Sequence, residues 1–249
     1  MTKLALATVV TLTSQAAGCI VQTDHGDGGP GVEVATISAR WSLRNMLDGA
    51  TTACPSGFDT VRLFMLPVDT NGDPAGEVAE DRFDCDDRAG RATDLFPGVY
   101  QVWIEVSSHD LKQTYAQSLS EVLDVTFADD TFATEMLNDG GYFQIGWDLV
   151  GKSTNRPVQC SQVAGLETLK AVSTFVSSTT RAYDDSFVCD DHFAVSGGLL
   201  EGDYTIAIDA VVTKDGTKSV GQAAPLSAKI EGQNRVTNVG TISIPIDGM

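Results

Sequence analysis

The chain carries one pattern twice. Phe83-Asp84-Cys85-Asp86-Asp87, followed by Leu95-Phe96-Pro97-Gly98-Val99-Tyr100-Gln101-Val102, returns as Phe187-Val188-Cys189-Asp190-Asp191 and Leu199-Leu200-Glu201-Gly202-Asp203-Tyr204-Thr205-Ile206. Trp41 and Cys54 are 13 positions apart, as are Trp147 and Cys160, and Cys85 precedes Tyr100 by the same 15 positions that separate Cys189 from Tyr204. Two tryptophans, four cysteines and two tyrosines at matching intervals describe an internal duplication, and each copy then needs a core of its own. A chain of 249 residues accommodates two such units. We place them at 32–138 and 139–249, with the boundary at Asn138-Asp139-Gly140-Gly141, a junction short enough for the two domains to touch.

Within each copy the apolar pattern has period two. Ile37, Ala39, Trp41 and Leu43 alternate with Ser38, Arg40, Ser42 and Arg44, and their counterparts Phe143, Ile145, Trp147 and Leu149 alternate in the same way. Both tryptophans fall on the apolar side and belong to the cores. Val61, Leu63 and Met65 form a further strand, matched by Leu169 and Ala171. Tyr100, Val102, Ile104 and Val106 form another, matched by Tyr204, Ile206, Ile208 and Ala210. Trp103 stands on the opposite face of that strand, where the second copy has Ala207, which makes it the candidate exposed contact residue, with cover from the neighbouring domain as the alternative. Turns are expected at Ser108-His109-Asp110 and Lys214-Asp215-Gly216-Thr217. Helical periodicity is weak, and its best stretch, Leu119 to Val125, is short enough to be strand. The fold class is all-β, two tandem immunoglobulin-like sandwiches.

The N-terminus has a short positive start, Met1-Thr2-Lys3, and an apolar run from Leu4 to Leu12, which is too short to span a bilayer and reads as a secretory signal. Its ending, Ala16-Ala17-Gly18-Cys19, resembles the lipobox of bacterial lipoproteins, with Ala16 where that family usually has Leu. The resemblance implies that residues 1–18 are removed and that Cys19 carries the lipid that joins the protein to the membrane. Ile20 follows Cys19 where an Asp would signal inner-membrane retention, so the implied address is the outer membrane. Residues 19–31, rich in Gly and Asp, make a tether with an r.m.s. reach of about 20 Å; His25 within it is a solvated linker residue.

Five cysteines are an odd number for an exported chain, but setting Cys19 aside leaves two per copy. Four cysteines allow three connectivities, and the duplication singles out Cys54 with Cys85 and Cys160 with Cys189. Neither pair has metal-ligand spacing.

The Leu-x-Pro-Gly-x-Tyr-x-Val block at Leu95 to Val102, with its weaker copy at Leu199 to Ile206, resembles the signature of transthyretin-like and carboxypeptidase-regulatory-like modules. These are small sandwiches found repeated in bacterial surface proteins. The resemblance covers about a tenth of each copy.

Two acidic stretches invite a cation. Asp69, Asn71 and Asp73 sit at the first, third and fifth places of a calcium-loop pattern with Glu80 at the twelfth, although Pro74 stands at the sixth, where such loops have Gly. Asp86 and Asp87, with Asp190 and Asp191 in the second copy, crowd carboxylates beside each disulfide, and such groups repel one another unless water, a cation or backbone donors intervene. The alternative for both is a solvated polar turn. No other cofactor is suggested. A net charge of −18 without a Lys/Arg run argues against nucleic acid. The three histidines, His25, His109 and His192, have no counterparts between copies, and no nucleophile or metalloprotease motif is present. The expectation is therefore a membrane-anchored, non-catalytic protein for adhesion, binding or envelope scaffolding, with an unknown protein or glycan partner. A calcium-dependent carbohydrate-binding module is the alternative.

Overall fold

The computed structural model describes residues 34–178, 180–212 and 218–249. The lipobox-like segment with Cys19, the tether with His25, and the Lys214-Asp215-Gly216-Thr217 turn lie outside the described residues. Residues 33–249 form one compact unit.

The first half contains nine strands: β1 (Ala35–Arg44), β2 (Thr51–Thr52), β3 (Thr60–Pro67), β4 (Ala79–Asp84), β5 (Ala89–Leu95), β6 (Val99–Ser107), β7 (Thr114–Gln117), β8 (Glu121–Asp124) and β9 (Asp130–Leu137). One sheet runs β2-β1-β5 with β9 on the free side of β1, and the other runs β4-β3-β6-β7 with β8 also on β6. The ten remaining strands repeat the scheme: β10 (Gly140–Gly151), β11 (Pro157–Val158), β12 (Leu166–Phe175), β13 (Ala182–Val188), β14 (Phe193–Val195), β15 (Leu199–Leu200), β16 (Gly202–Val212), β17 (Lys218–Gln222), β18 (Leu226–Ile230) and β19 (Arg235–Ile246). Here β10 takes the place of β1, β12 of β3, β13 of β4, β16 of β6 and β19 of β9. The stretch Leu119 to Val125 contains strand β8.

Alternation explains the layering. Ile37, Ala39, Trp41 and Leu43 of β1 face Val61, Leu63 and Met65 of β3 and Val102, Ile104 and Val106 of β6 across one core. Phe143, Ile145, Trp147 and Leu149 meet Leu169, Ala171, Ile206, Ile208 and Ala210 across a second. Each valine, leucine, isoleucine, methionine and phenylalanine among them contributes roughly 1.5 to 3 kcal/mol by leaving water. The structure is thus all-β with sandwich architecture.

Two pairings go beyond local alternation. The last strand of each half returns beside the first in parallel: β9 follows β1 from Ile37↔Asp130 to Arg44↔Leu137, and β19 follows β10 from Gly141↔Arg235 to Gly151↔Ile246. In the second half a single pair, Gly221↔Ile246, also links β17 to β19 and joins all its strands into one ten-stranded sheet. A Cβ at Gly221 would lie 2.5 Å from the Pro245 carbonyl oxygen, so only glycine permits that approach.

Only Asn138 and Asp139 separate β9 from β10, and side chains stitch the junction. Asn234, buried and with φ of 57°, accepts from the Leu137 N–H at 2.6 Å and donates through Nδ2 to the Gln117 carbonyl at 2.8 Å. The Tyr115 hydroxyl donates to Asn138 Oδ1, Asn138 Nδ2 donates to Asn45 Oδ1, and Asp139 accepts from the backbone N–H groups of Met46 and Leu47.

Candidate functional site

The duplicated Cys-Asp-Asp segment is a clasp. Cys54 is bonded to Cys85 and Cys160 to Cys189. Cys85–Asp87 and Cys189–Asp191 are single 3₁₀ turns, each followed by a residue in the left-handed region, Arg88 (φ 58°) or His192 (φ 60°). That turn aims two carbonyls at the core tryptophan. The Trp41 indole N–H donates to the Cys85 carbonyl at 2.9 Å and its backbone N–H donates to Arg88 O; Trp147 does the same toward Cys189 O at 2.8 Å and His192 O. A buried indole N–H needs a partner, and the disulfide holds that partner in place. Asp86, Asp87, Asp190 and Asp191 all project into solvent from these turns. His192 is thereby a backbone residue of the clasp.

Asp69 closes its own loop. Its carboxylate accepts from the backbone N–H groups of Asn71 at 2.8 Å and Asp73 at 2.9 Å, with Asn71 Nδ2 at 3.2 Å, and these bonds, led by the Asp73 N–H, hold its carboxyl below the usual range. Asp69 is thus the acceptor around which this loop closes. Among the described residues no three His, Cys, Asp or Glu side chains converge as a metal cage would require. Two further acids, Asp81 and Asp185, lie opposite core residues Leu63 and Ala171 on the edge strands β4 and β13, and burial raises both carboxyls. Acidic groups turned inward on sheet edges deter edge-to-edge pairing.

The outer face of β4-β3-β6 is different in kind. Trp103 stacks on Phe64 with ring centroids 5.0 Å apart and planes at 12°, the two residues being direct cross-strand partners. Arg62 lies over the Phe64 ring, its guanidinium carbon 4.5 Å from the ring centre. It also reaches Glu80 on β4 at 2.6 Å and Glu105 on β6 at 3.3 Å. The bond to Glu80 raises the guanidinium's proton affinity, and Arg62 in turn holds the Glu80 carboxyl below its usual range. Arg82, bonded to Glu80, and Val122 with the Gln101–Ser120 pair complete the rim. At the equivalent register the second copy has Lys170 opposite Asp209 and Val172 opposite Asp184, but it has Ser186 for Arg82 and replaces both rings, with Val172 for Phe64 and Ala207 for Trp103. Reading β6 on both faces identified Trp103, whereas reading β3 only by its inward residues missed Phe64 and Arg62. The signal was the alternation itself, since Arg62, Phe64 and Leu66 occupy the positions between Val61, Leu63 and Met65.

No family model matches the chain, and no curated protein matches it. Similar solved structures are remote. A leucine-rich repeat protein from Bacteroides thetaiotaomicron is 10% identical over 86% of this chain, with a TM-score of 0.40, and the chain spans only 26% of its length. The minor pilin GBS52 from Streptococcus agalactiae is 14% identical over 86% of this chain and 97% of its own, with a TM-score of 0.30. A DUF3823 family protein from Bacteroides uniformis is 11% identical over 79% and 99%, with a TM-score of 0.28. None of these superpositions is close enough to carry function across, so the functional reading rests on the residues.

Proposed function

We propose that the protein is an exported, non-catalytic binding protein, held to the outer membrane through lipid on Cys19, and that it engages its partner through the outer face of the first sandwich around Trp103 and Arg62, with the buried Phe64 ring supporting them. The observation that carries this reading is the asymmetry between copies. The same strand register serves both outer faces, yet only the first has a stacked aromatic pair with an arginine beside it. Stability alone does not demand that difference, because the second sandwich closes its core with Val172 and Ala207 at those positions. Aromatic and arginine side chains within a polar rim are the composition of an interface centre. A protein partner fits that mixture, because the rim offers acceptors at Glu80 and Glu105 and donors at Arg62 and Arg82.

The test compares wild type with Trp103→Ala and with the Phe64→Ala/Trp103→Ala double variant, each immobilised and exposed to outer-envelope extract and to a glycan array. Retention of a defined envelope protein that falls at least tenfold in both variants supports the reading. Equal retention by all three removes the face from consideration, and selective glycan retention would transfer the site to carbohydrate.

A further inference from the structure

The two sandwiches use the end at which the chain enters them differently. In the second, that end consists of Gly140 and Gly141, Leu200, and the Gly232-Gln233-Asn234 loop, and it is covered by the first sandwich. Asp139 O accepts from Glu201 N, Asn138 O accepts from Gln233 N, and Asn234 reaches back to Leu137 and Gln117. In the first sandwich the positions equivalent to Gly140, Leu200 and Gly232 are Val34, Phe96 and Phe127. No described residue packs over them. They are 56%, 73% and 96% exposed. The end that is covered carries two glycines and one leucine; the end that is open carries two phenylalanines and a valine.

That exposure is held in place. The Tyr100 hydroxyl donates to the Phe96 carbonyl at 2.7 Å, Val125 N–H donates to Gly98 O at 2.8 Å, and Thr126 N–H donates to Asp124 at 2.9 Å. The two loops flank a groove of about 310 Å³ that also includes Val34, Ala35 and Pro97. Rigid loops that point phenylalanine at solvent describe a surface with an apolar occupant.

We propose that this occupant is a lipid bilayer, with Phe127, Phe96 and Val34 seated in the headgroup region so that the first sandwich stands on the membrane. The inference rests on the lipid anchor at Cys19. The described chain starts at Val34, 15 positions after Cys19 and at this same end, so an anchored chain brings these side chains to the surface within the reach of its tether. Topology then directs the rest outward. β1 and β9 run from this end to the junction, and β10 and β19 run on from the junction to Gly151 and Ile246. Asp94 and Asp130 stand exposed beside the tip and Asp129 there is paired with Arg91, so the excess charge is negative, a zwitterionic surface fits it and an anionic one repels it. Phenylalanine at this depth gains from its apolar ring and loses no hydrogen bond.

The test uses residues 19–249, which contain the whole compact unit. Cys54, Cys85, Cys160 and Cys189 are paired, so Cys19 is the only thiol and can be coupled to a maleimide phospholipid in phosphatidylcholine vesicles. Trp is introduced as Phe127→Trp, or as Val188→Trp on exposed edge strand β13 of the second sandwich, and read against brominated acyl chains with the wild-type signal subtracted. The expected result is at least twofold quenching for F127W, none for V188W, and weaker F127W quenching when anionic lipid is added. F127W quenched no more than V188W overturns the proposal. So does sedimentation that shows a wild-type dimer dissociated by Phe127→Asp, because a second copy would then be the occupant. Chemical coupling makes this result independent of lipidation in the cell. That is read separately from the N-terminal mass of the membrane-extracted protein, where an unmodified Cys19 would remove the anchor reading.

Discussion

Replacing Asn234 by alanine should uncouple and destabilise the two sandwiches together. Asn234 is buried, holds φ of 57°, and spends both side-chain atoms on the first sandwich, accepting from Leu137 N–H and donating to Gln117 O. Alanine leaves the buried Leu137 N–H without a partner, at about 1 to 3 kcal/mol, and removes the partly buried bond to Gln117 O, at about 1 kcal/mol. It also keeps a Cβ in the left-handed region without the local polar compensation that asparagine has, which costs about 1 kcal/mol more. N234A is therefore expected to lose about 3 to 5 kcal/mol, and N234G to recover about 1 kcal/mol of that because glycine accepts the backbone angle freely. The assay is urea unfolding followed by tryptophan fluorescence, with Trp41 reporting the first core and Trp147 the second. Wild type should unfold in one transition; N234A should unfold earlier and over a broader range as the sandwiches separate. An N234A curve within about 0.5 kcal/mol of wild type, with unchanged slope, would refute the view that this side chain couples the halves.

Opening either disulfide by Cys→Ser pairs should cost about 3 to 4 kcal/mol in the chain-entropy model for loops of 31 and 29 residues, and should red-shift the emission of the matching tryptophan; calorimetry and fluorescence of C54S/C85S and C160S/C189S check both. Burial raises the phenols of Tyr100, Tyr115, Tyr142 and Tyr204, so the folded state holds their protons more tightly than the unfolded chain does. Stability from these groups is complete below pH 10 and falls as pH rises above it, which a denaturation series from pH 8 to 12 with absorbance at 295 nm measures. Arg62 lowers the Glu80 carboxyl, so the stability from that pair is present above the ordinary glutamate range and lost as pH falls through it, and Arg62→Met should flatten this acid limb. Chelator should leave the melting temperature unchanged, since no three ligating side chains converge among the described residues; a rise of several degrees in millimolar calcium would restore the cation reading.

The architecture was legible because duplication and period-two alternation are local signals. Trp41 and Trp147 declared themselves by falling in step with Ile37 and Ile145, and the matching intervals singled out the cysteine pairs. What the repeated Asp residues accompany was not legible, because the bond from Trp41 to the Cys85 carbonyl spans 44 positions and depends on a left-handed residue at Arg88. Asn234 reads as an ordinary turn residue; its role appears only once β9 and β19 bring Leu137 within reach. The Phe64–Trp103 stack requires the register of β3 against β6, which no periodicity within either strand states. Val34, Phe96 and Phe127 lie far apart in sequence, and only the fold shows that they share the end whose counterpart in the second copy is covered.

The most direct test of the binding face is site-specific photocrosslinking in living cells, with p-benzoylphenylalanine placed at Val122 beside Trp103 or at Thr205 on the equivalent face of the second sandwich. Both are exposed strand positions, so neither disturbs a core. The account predicts a discrete adduct from position 122 that disappears when Trp103→Ala is added, and none from position 205. Adducts from position 205 alone, or adducts from 122 that persist without Trp103, would contradict it.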